Sequence, residues 1–198
     1  MQKYSAGFTS ERPVKNEMKL VIELYLQGKT KDEIKDIVID ENLFNMRGVP
    51  TIKETLGKIN RRISFLDDKM KEIFIANKNN DANAILLYTF LSSFRIANEF
   101  VMEVIYYNWQ NHKKIITSGD VNIFMEEKAR QSEIVANWTT STTHRIRNRI
   151  LEFCVVCGLL NKENGDFTIS PILISKDLKD YIQDHEEYRR LLSYILID

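Results

Sequence analysis

Hydrophobic positions in the first third of the chain recur at helical spacing. Residues 14–28 carry an apolar stripe that ends at Gly28, a residue typical of helix C-termini. Thr30 and Glu33 have the spacing of a capping box, which predicts the start of a second helix. A third, long helix is predicted from Thr51, because apolar residues continue along one face. That stripe comprises Ile52, Leu56, Ile59, Ile63, Leu66, Met70 and Phe74.

The middle of the chain, residues 81–112, is apolar around nearly its whole circumference. This pattern is typical of a helix buried by its neighbours, and it predicts a central buried helix, with a dimer contact as the alternative. The stretch is long enough to span a bilayer, but Arg95, Asn98, Glu99 and Glu103 interrupt it. We therefore expect a helix of a soluble protein and no membrane insertion.

The last third begins with a helix from Ser118, a short helix capped by Ser132, and a longer helix over residues 141–157. After Gly158 the apolar period changes, and Asn164-Gly165 is a strong signal for a two-residue β-hairpin. Helix, short helix, longer helix and hairpin is the order of a winged helix-turn-helix.

The predicted fold class is therefore mainly α. Two short helices followed by a longer one predict a helix-turn-helix N-terminal part. A central buried helix and a C-terminal winged helix-turn-helix with a short β-hairpin follow. We predict two domains, an N-terminal helical domain over residues 1–78 and a second over residues 79–198 that contains the central helix and the winged helix.

The long helix of the last third divides into two faces at about 100° per residue. One face is apolar and carries Ile146, Ile150, Phe153 and Cys157. The opposite face is polar and carries Ser141, His144, Arg145, Asn148 and Glu152. Arg147 and Arg149 flank the apolar stripe. An apolar face that packs on the domain and a polar face with forked donors suit a helix that enters the major groove.

We predict the following contacts with duplex DNA. His144, Arg145 and Asn148 face the bases or the groove. The phosphates are bound by Ser141, Thr142, Thr143, Arg147, Arg149 and Lys162. Lys58, Arg61 and Arg62, which lie off the stripe of the earlier long helix, add a second backbone contact, with a solvated helix face as the alternative. A capped surface helix explains the same pattern without DNA, and winged helices also dock proteins.

Composition changes this picture only in part. The chain has 198 residues, with 28 basic and 28 acidic side chains, so its net charge is zero. Neutrality argues against a non-specific DNA coat, yet it allows a local basic face, because affinity depends on the charges that reach phosphates. The first 13 residues contain no apolar stretch of a signal peptide, and we predict a cytoplasmic protein.

Other candidate chemistry is sparse. Cys154 and Cys157 form one CxxC pair inside a helix, whereas zinc needs four ligands, so core cysteines are the preferred interpretation. The three histidines are scattered, and no phosphate-binding loop or nucleophile elbow is present. We predict no catalytic residues, no metal, no cofactor and no enzymatic activity.

Three segments resemble the BrxA family of BREX phage-resistance systems. They are YSAGFTSERPVKNEMKLVIELYLQG, DENLFNMRGVPTIKETLGKINRRISFL and RIRNRILEFCVVCGLL. Within the second segment, Asn42, Arg47, Thr51, Arg61 and Arg62 are similar to the family's pattern. The similarity is one of layout and covers most of the chain.

The resemblance implies a small, all-helical protein with two helix-turn-helix units that binds double-stranded DNA. It implies action in host defence beside a BREX methyltransferase and ATPase, and other BREX proteins as possible partners. Two alternatives stay open. The same helices would serve a protein-interaction adaptor, which the neutral charge favours, and a suggested relation to the NusB fold leaves RNA as a ligand.

Overall fold

A computed structural model describes residues 3–76 and 78–197, and it is mainly helical with one small antiparallel sheet. The first part contains four helices: α1 Lys15–Leu26, α2 Lys31–Asp40, α3 Val49–Ile63 and α4 Asp68–Ile75. Gly28 has a φ of 81°, which suits its place after α1. The capping box of Thr30 and Glu33 is present at the start of α2, as predicted.

The single long helix predicted from Thr51 is wrong, because the chain turns between α3 and α4. The Asp67 side chain accepts a hydrogen bond from the Met70 amide at 2.8 Å and so caps a new helix. This bond satisfies an amide that a helix start otherwise leaves without a partner. The predicted stripe is nevertheless buried along its whole length, from Ile52 to Phe74, since the turn folds α4 back onto α1 and α5.

The central segment is mostly buried, as predicted, up to Ile105, whereas residues 107–112 are exposed or half-buried, and the segment is not one helix. It consists of α5 Asn79–Ser93, α6 Arg95–Phe100, a π-helix Val101–Tyr106 and α7 Tyr107–Gln110. The chain bends by 119° between α5 and the helical segment that follows, at the extended residue Phe94. The Phe94 ring lies 4.6 Å from that of Phe8 and 5.4 Å from that of Phe90, so tertiary packing overrides local helix preference.

Membrane-spanning potential is confined to this bent segment. Within residues 3–76 and 78–197, no single helix is long and apolar enough to cross a membrane. The two arms that meet at Phe94 match a span in length and composition only when taken together.

The last part combines helices with a three-stranded antiparallel sheet. Its helices are α8 Ser118–Gln131, α9 Glu133–Ala136, α10 Thr140–Val156, α11 Lys176–Asp184, a 3-10 turn Glu186–Tyr188 and α12 Arg190–Tyr194. Its strands are β1 Ile115–Ile116, β2 Leu160–Glu163 and β3 Asp166–Ile169, in the order β1-β3-β2. The predicted β2–β3 hairpin is confirmed, whereas β1 was not predicted because two residues carry no alternation signal.

The hairpin turn follows directly from two residues. Asn164 has a φ of 50° and Gly165 a φ of 95°, and a two-residue turn that twists with its strands needs positive φ at both positions. Asparagine and glycine are the residues that adopt this conformation most readily.

One hydrophobic core runs through both parts of the chain. Phe90 of α5 stacks on Phe153 of α10, with ring centroids 3.7 Å apart, and Phe8 packs on Phe90 from the N-terminal segment. The buried residues on either side of position 78 therefore belong to the same cluster. The division into domains at residues 78 and 79 stays a prediction.

Candidate nucleic-acid interface

The interface is built on α10, whose first turn is fixed by its own hydroxyl residues. The Thr139 side chain accepts a hydrogen bond from the Thr142 amide at 3.1 Å, and the two hydroxyls lie 2.9 Å apart. Thr142 is therefore engaged in the cap, while Ser141 is exposed on the outer face. The hydroxyl run both starts the helix and leaves exposed hydroxyls, including that of Ser141, open to a ligand.

The two predicted faces of α10 are confirmed. The apolar face is fully buried, with Ile146, Phe153 and Cys157 at 0% exposure and Ile150 at 1%. The predicted polar face is exposed in all five positions, namely Ser141, His144, Arg145, Asn148 and Glu152. The exposed side of α10 therefore presents the short polar side chains and the guanidinium group that the helical periodicity predicted.

Arg147 lies on the flank of α10 that faces α8. Its Nη1 donates a hydrogen bond to the Asn122 side-chain oxygen of α8 at 2.7 Å. On one side of Arg147 is a groove of about 190 Å³, which reaches Lys162 of the hairpin. On the other side is a shallow depression of about 460 Å³, which includes His144 and Glu126.

Three cations of this surface differ in their ion pairing from the other lysines and arginines that were predicted to contact DNA. Arg145, Arg147 and Lys162 form no ion pair with any carboxylate in residues 3–76 and 78–197. Arg145 and Lys162 are exposed, and Arg147 is half-buried. Their charges are therefore open to an anionic partner, which would not have to break an existing ion pair.

Arg149 does not match its predicted place among the phosphate contacts. Its guanidinium forms an ion pair with Glu152 and donates to the Thr9 carbonyl oxygen at 3.4 Å, and only 19% of the side chain is exposed. Its Nε is buried without a hydrogen-bond partner. The helical rotation turns Arg149 toward the N-terminal segment, so its side chain serves packing inside the molecule.

The predicted second contact, formed by Lys58, Arg61 and Arg62, is corrected by the structure. Arg62 is fully buried, and its guanidinium forms an ion pair with the equally buried Glu11. Arg61 is 44% exposed but binds the same carboxylate. Burial lowers the pKa of Arg62 from its ordinary value, while Glu11 opposes that shift. A phosphate cannot reach Arg62 in this arrangement.

Lys58 is also engaged within the chain. Its Nζ lies 2.6 Å from the Glu54 carboxylate and 2.9 Å from the Ser10 hydroxyl, and its side chain is 17% exposed. The Glu54–Lys58 pair has the i, i+4 spacing that is visible in the sequence, whereas no local signal predicts the contact with Ser10, which precedes Lys58 by 48 residues. The surface of α3 therefore offers far less free positive charge than the sequence suggested.

Cys154 and Cys157 are both free thiols that pack in the core at 0% exposure, as predicted. Burial raises the pKa of Cys157 to about 12 and raises that of Cys154 further. Within the described ranges, no group of three or more metal-binding side chains occurs.

Two comparisons of the sequence with known proteins identify the same family. A sequence model of the BrxA family matches residues 2–186. A BREX protein BrxA from Bacillus cereus (strain H3081.97) is 28% identical over 182 residues, which cover 92% of this chain and 91% of that protein. The crystal structure of an uncharacterized protein from Magnetospirillum magneticum superposes with a TM-score of 0.81 over 98% of each chain. That structure is 14% identical in sequence, so the match establishes a shared fold.

Proposed function

The chain belongs to the BrxA family, and from this premise we propose that it is a non-enzymatic, DNA-binding component of a BREX-type phage defence system. The Bacillus cereus relative is a BREX protein, which supports the setting in phage defence. In this proposal α8 to β3 act as a winged helix-turn-helix in the cytoplasm. Helix α10 enters the major groove, and the β2–β3 hairpin contacts the neighbouring backbone.

One observation carries the proposal, namely the charge on the exposed side of α10 and the hairpin. Arg145, Arg147 and Lys162 have no carboxylate partner among the described residues, whereas Arg62 and Arg149 are paired inside the chain. A phosphate that binds a paired cation must first displace its carboxylate. A cation without such a partner has no ion pair to break. The release of counterions from DNA therefore contributes fully to its binding free energy.

The residues at the centre of the α10 face supply the base contacts. Arg145 and Asn148 lie one turn apart on the exposed side, and His144 precedes them. An arginine fork pairs with the O6 and N7 atoms of guanine, and an asparagine amide pairs with the N6 and N7 atoms of adenine. Ser141 and Thr143, at the start of the helix, suit phosphate oxygens.

Fluorescence anisotropy of a labelled random duplex tests the proposal, with titrations at low and at physiological salt. We expect binding that weakens steeply with salt. Arg145→Ala combined with Lys162→Ala should weaken it at least tenfold at low salt and reduce the slope of log K against log salt by about 1, because Lys162 is the phosphate contact of the two. The matched control is Lys31→Ala combined with Lys35→Ala, which removes two exposed charges from α2.

Three other results would contradict the proposal or the location of its site. Equal losses in both double variants would contradict a site on α10 and the hairpin. No binding even at low salt would contradict the proposal and favour an adaptor that docks proteins of the defence complex. Preference for RNA over duplex DNA in a competition titration would indicate an RNA-binding factor.

A further inference from the structure

The groove between α10 and the hairpin has a cationic rim and an apolar floor. Arg147 stands on the α10 side and Lys162 on the hairpin side, and the lining includes the buried ring of Phe167. Its volume of about 190 Å³ far exceeds the ~10–15 Å³ that one water molecule needs, so a tetrahedral anion fits.

Arg147 is held in place without losing its charge. The Asn122 oxygen accepts from Nη1 at 2.7 Å, and an arginine can only donate, so the amide oxygen must face it. Arg61, Arg62 and Arg149 are held by carboxylates instead. Asn122 lines the depression on the other side of Arg147, so the bond anchors the guanidinium between the depression and the groove while its positive charge stays available to a ligand.

The hairpin register aims Lys162 at the same space. Lys162 pairs with Phe167, and side chains of directly opposite residues project from the same face of a sheet. The acidic residues Glu163 and Asp166 form the next pair and therefore project from the other face. The register thus places the lysine toward the groove and the two carboxylates away from it.

We propose that this groove is a phosphodiester subsite, in which Arg147 and Lys162 bind one backbone phosphate and Asn122 positions Arg147. The subsite rests on the proposed DNA-binding function. It adds Asn122 of α8, which lies outside α10 and the hairpin and directs the Arg147 guanidinium. Asn122 is a positioning residue, because it acts on the phosphate through Arg147.

Four variants in duplex-binding titrations over a range of salt test the subsite. Arg147→Ala should weaken binding about tenfold and lower the salt slope by about 1, since one phosphate contact is lost. Asn122→Ala should weaken it about threefold with an unchanged slope, because the charge of Arg147 remains. Asn122→Asp should lower the slope by about 1, because a carboxylate neutralises Arg147. The double variant Asn122→Ala/Arg147→Ala should bind no more weakly than Arg147→Ala.

Gln131→Glu is the matched control, since it converts an exposed amide of α8 to a carboxylate away from the groove. It should leave the slope closer to wild type than Asn122→Asp does, and thermal unfolding confirms that each variant folds. Additive losses in the double variant, or equal slopes for Asn122→Asp and Gln131→Glu, would overturn the subsite while duplex binding by the wild-type chain persists. A wild-type chain that binds no duplex overturns both the subsite and the proposed function.

Discussion

Arg62 and Glu11 form an ion pair in which neither side chain reaches solvent. Arg62 belongs to α3, and its Nη2 also donates to the Arg12 carbonyl oxygen at 3.0 Å. The guanidinium carbon lies 4.9 Å from the ring centroid of Phe153, which is part of α10. The pair therefore joins the N-terminal segment and α3 directly beneath the helix of the candidate interface.

Removal of Glu11 should destabilise the protein severely. Glu11→Ala leaves the buried charge of Arg62 uncompensated, and loss of one partner of a buried pair costs about 3–5 kcal/mol of unfolding free energy. Urea unfolding measures the change. Glu54→Ala is the control, since it removes an exposed partner of Lys58 and should leave the unfolding midpoint near that of the wild type. A midpoint for Glu11→Ala as high as that of the control would show that the pair does not hold these elements together.

Two arginines on the same helix should separate binding from stability. Arg149→Ala should lower the unfolding free energy by about 1 kcal/mol and leave the salt slope of duplex binding unchanged, because its contacts lie within the chain. Arg145→Ala should leave stability within about 0.5 kcal/mol of wild type and weaken duplex binding by about 1–3 kcal/mol, because Arg145 contacts a base. The two measurements are urea unfolding and anisotropy titration. Equivalent effects of the two substitutions would contradict the assigned orientations.

Local patterns in the sequence were sufficient for much of the fold. The capping box at Thr30, the turn at Asn164 and Gly165, and the two faces of α10 all depend on residues close together in the chain. Such features follow from propensity and periodicity alone. The sequence therefore located the candidate interface and its exposed groups.

Long-range packing determined what the sequence could not predict. Arg62 looked like a surface residue because Glu11, its partner, lies 51 positions earlier. The bend at Phe94 has no proline or glycine, and it depends on rings supplied by Phe8 and Phe90. Asn122 became a candidate only when its oxygen was found beside Arg147. None of these contacts leaves a periodic signal.

The two cysteines should be inert in the folded protein. Both thiols are fully buried, and the pKa of Cys157 is raised to about 12, so almost no reactive thiolate forms near pH 8. A thiol reagent that releases a coloured product should label neither cysteine quickly in buffer. The same reagent should label both cysteines immediately in denaturant. Rapid labelling of either residue without unfolding would contradict the packing of α10 on the core.

Two glycines should respond in opposite directions to alanine. Gly57 lies on the exposed face of α3 with open space around its Cβ position, so Gly57→Ala should raise the unfolding free energy by about 1 kcal/mol. Gly158 follows α10 with a φ of 83°, so Gly158→Ala should lower it by about 1–2 kcal/mol. Thermal unfolding of both variants measures the changes. A destabilising Gly57→Ala would show that the backbone of α3 is more constrained than its open surroundings indicate.

Hydrogen exchange with and without a saturating duplex tests the central claim most directly, since it locates the contact along the chain. We predict slower amide exchange on DNA binding in the first turns of α10, residues 139–148, and in the hairpin, residues 160–166. Exchange in α3, Val49–Ile63, should stay unchanged. Protection concentrated on α3, or bound duplex with no protection of α10 and the hairpin, would contradict the account.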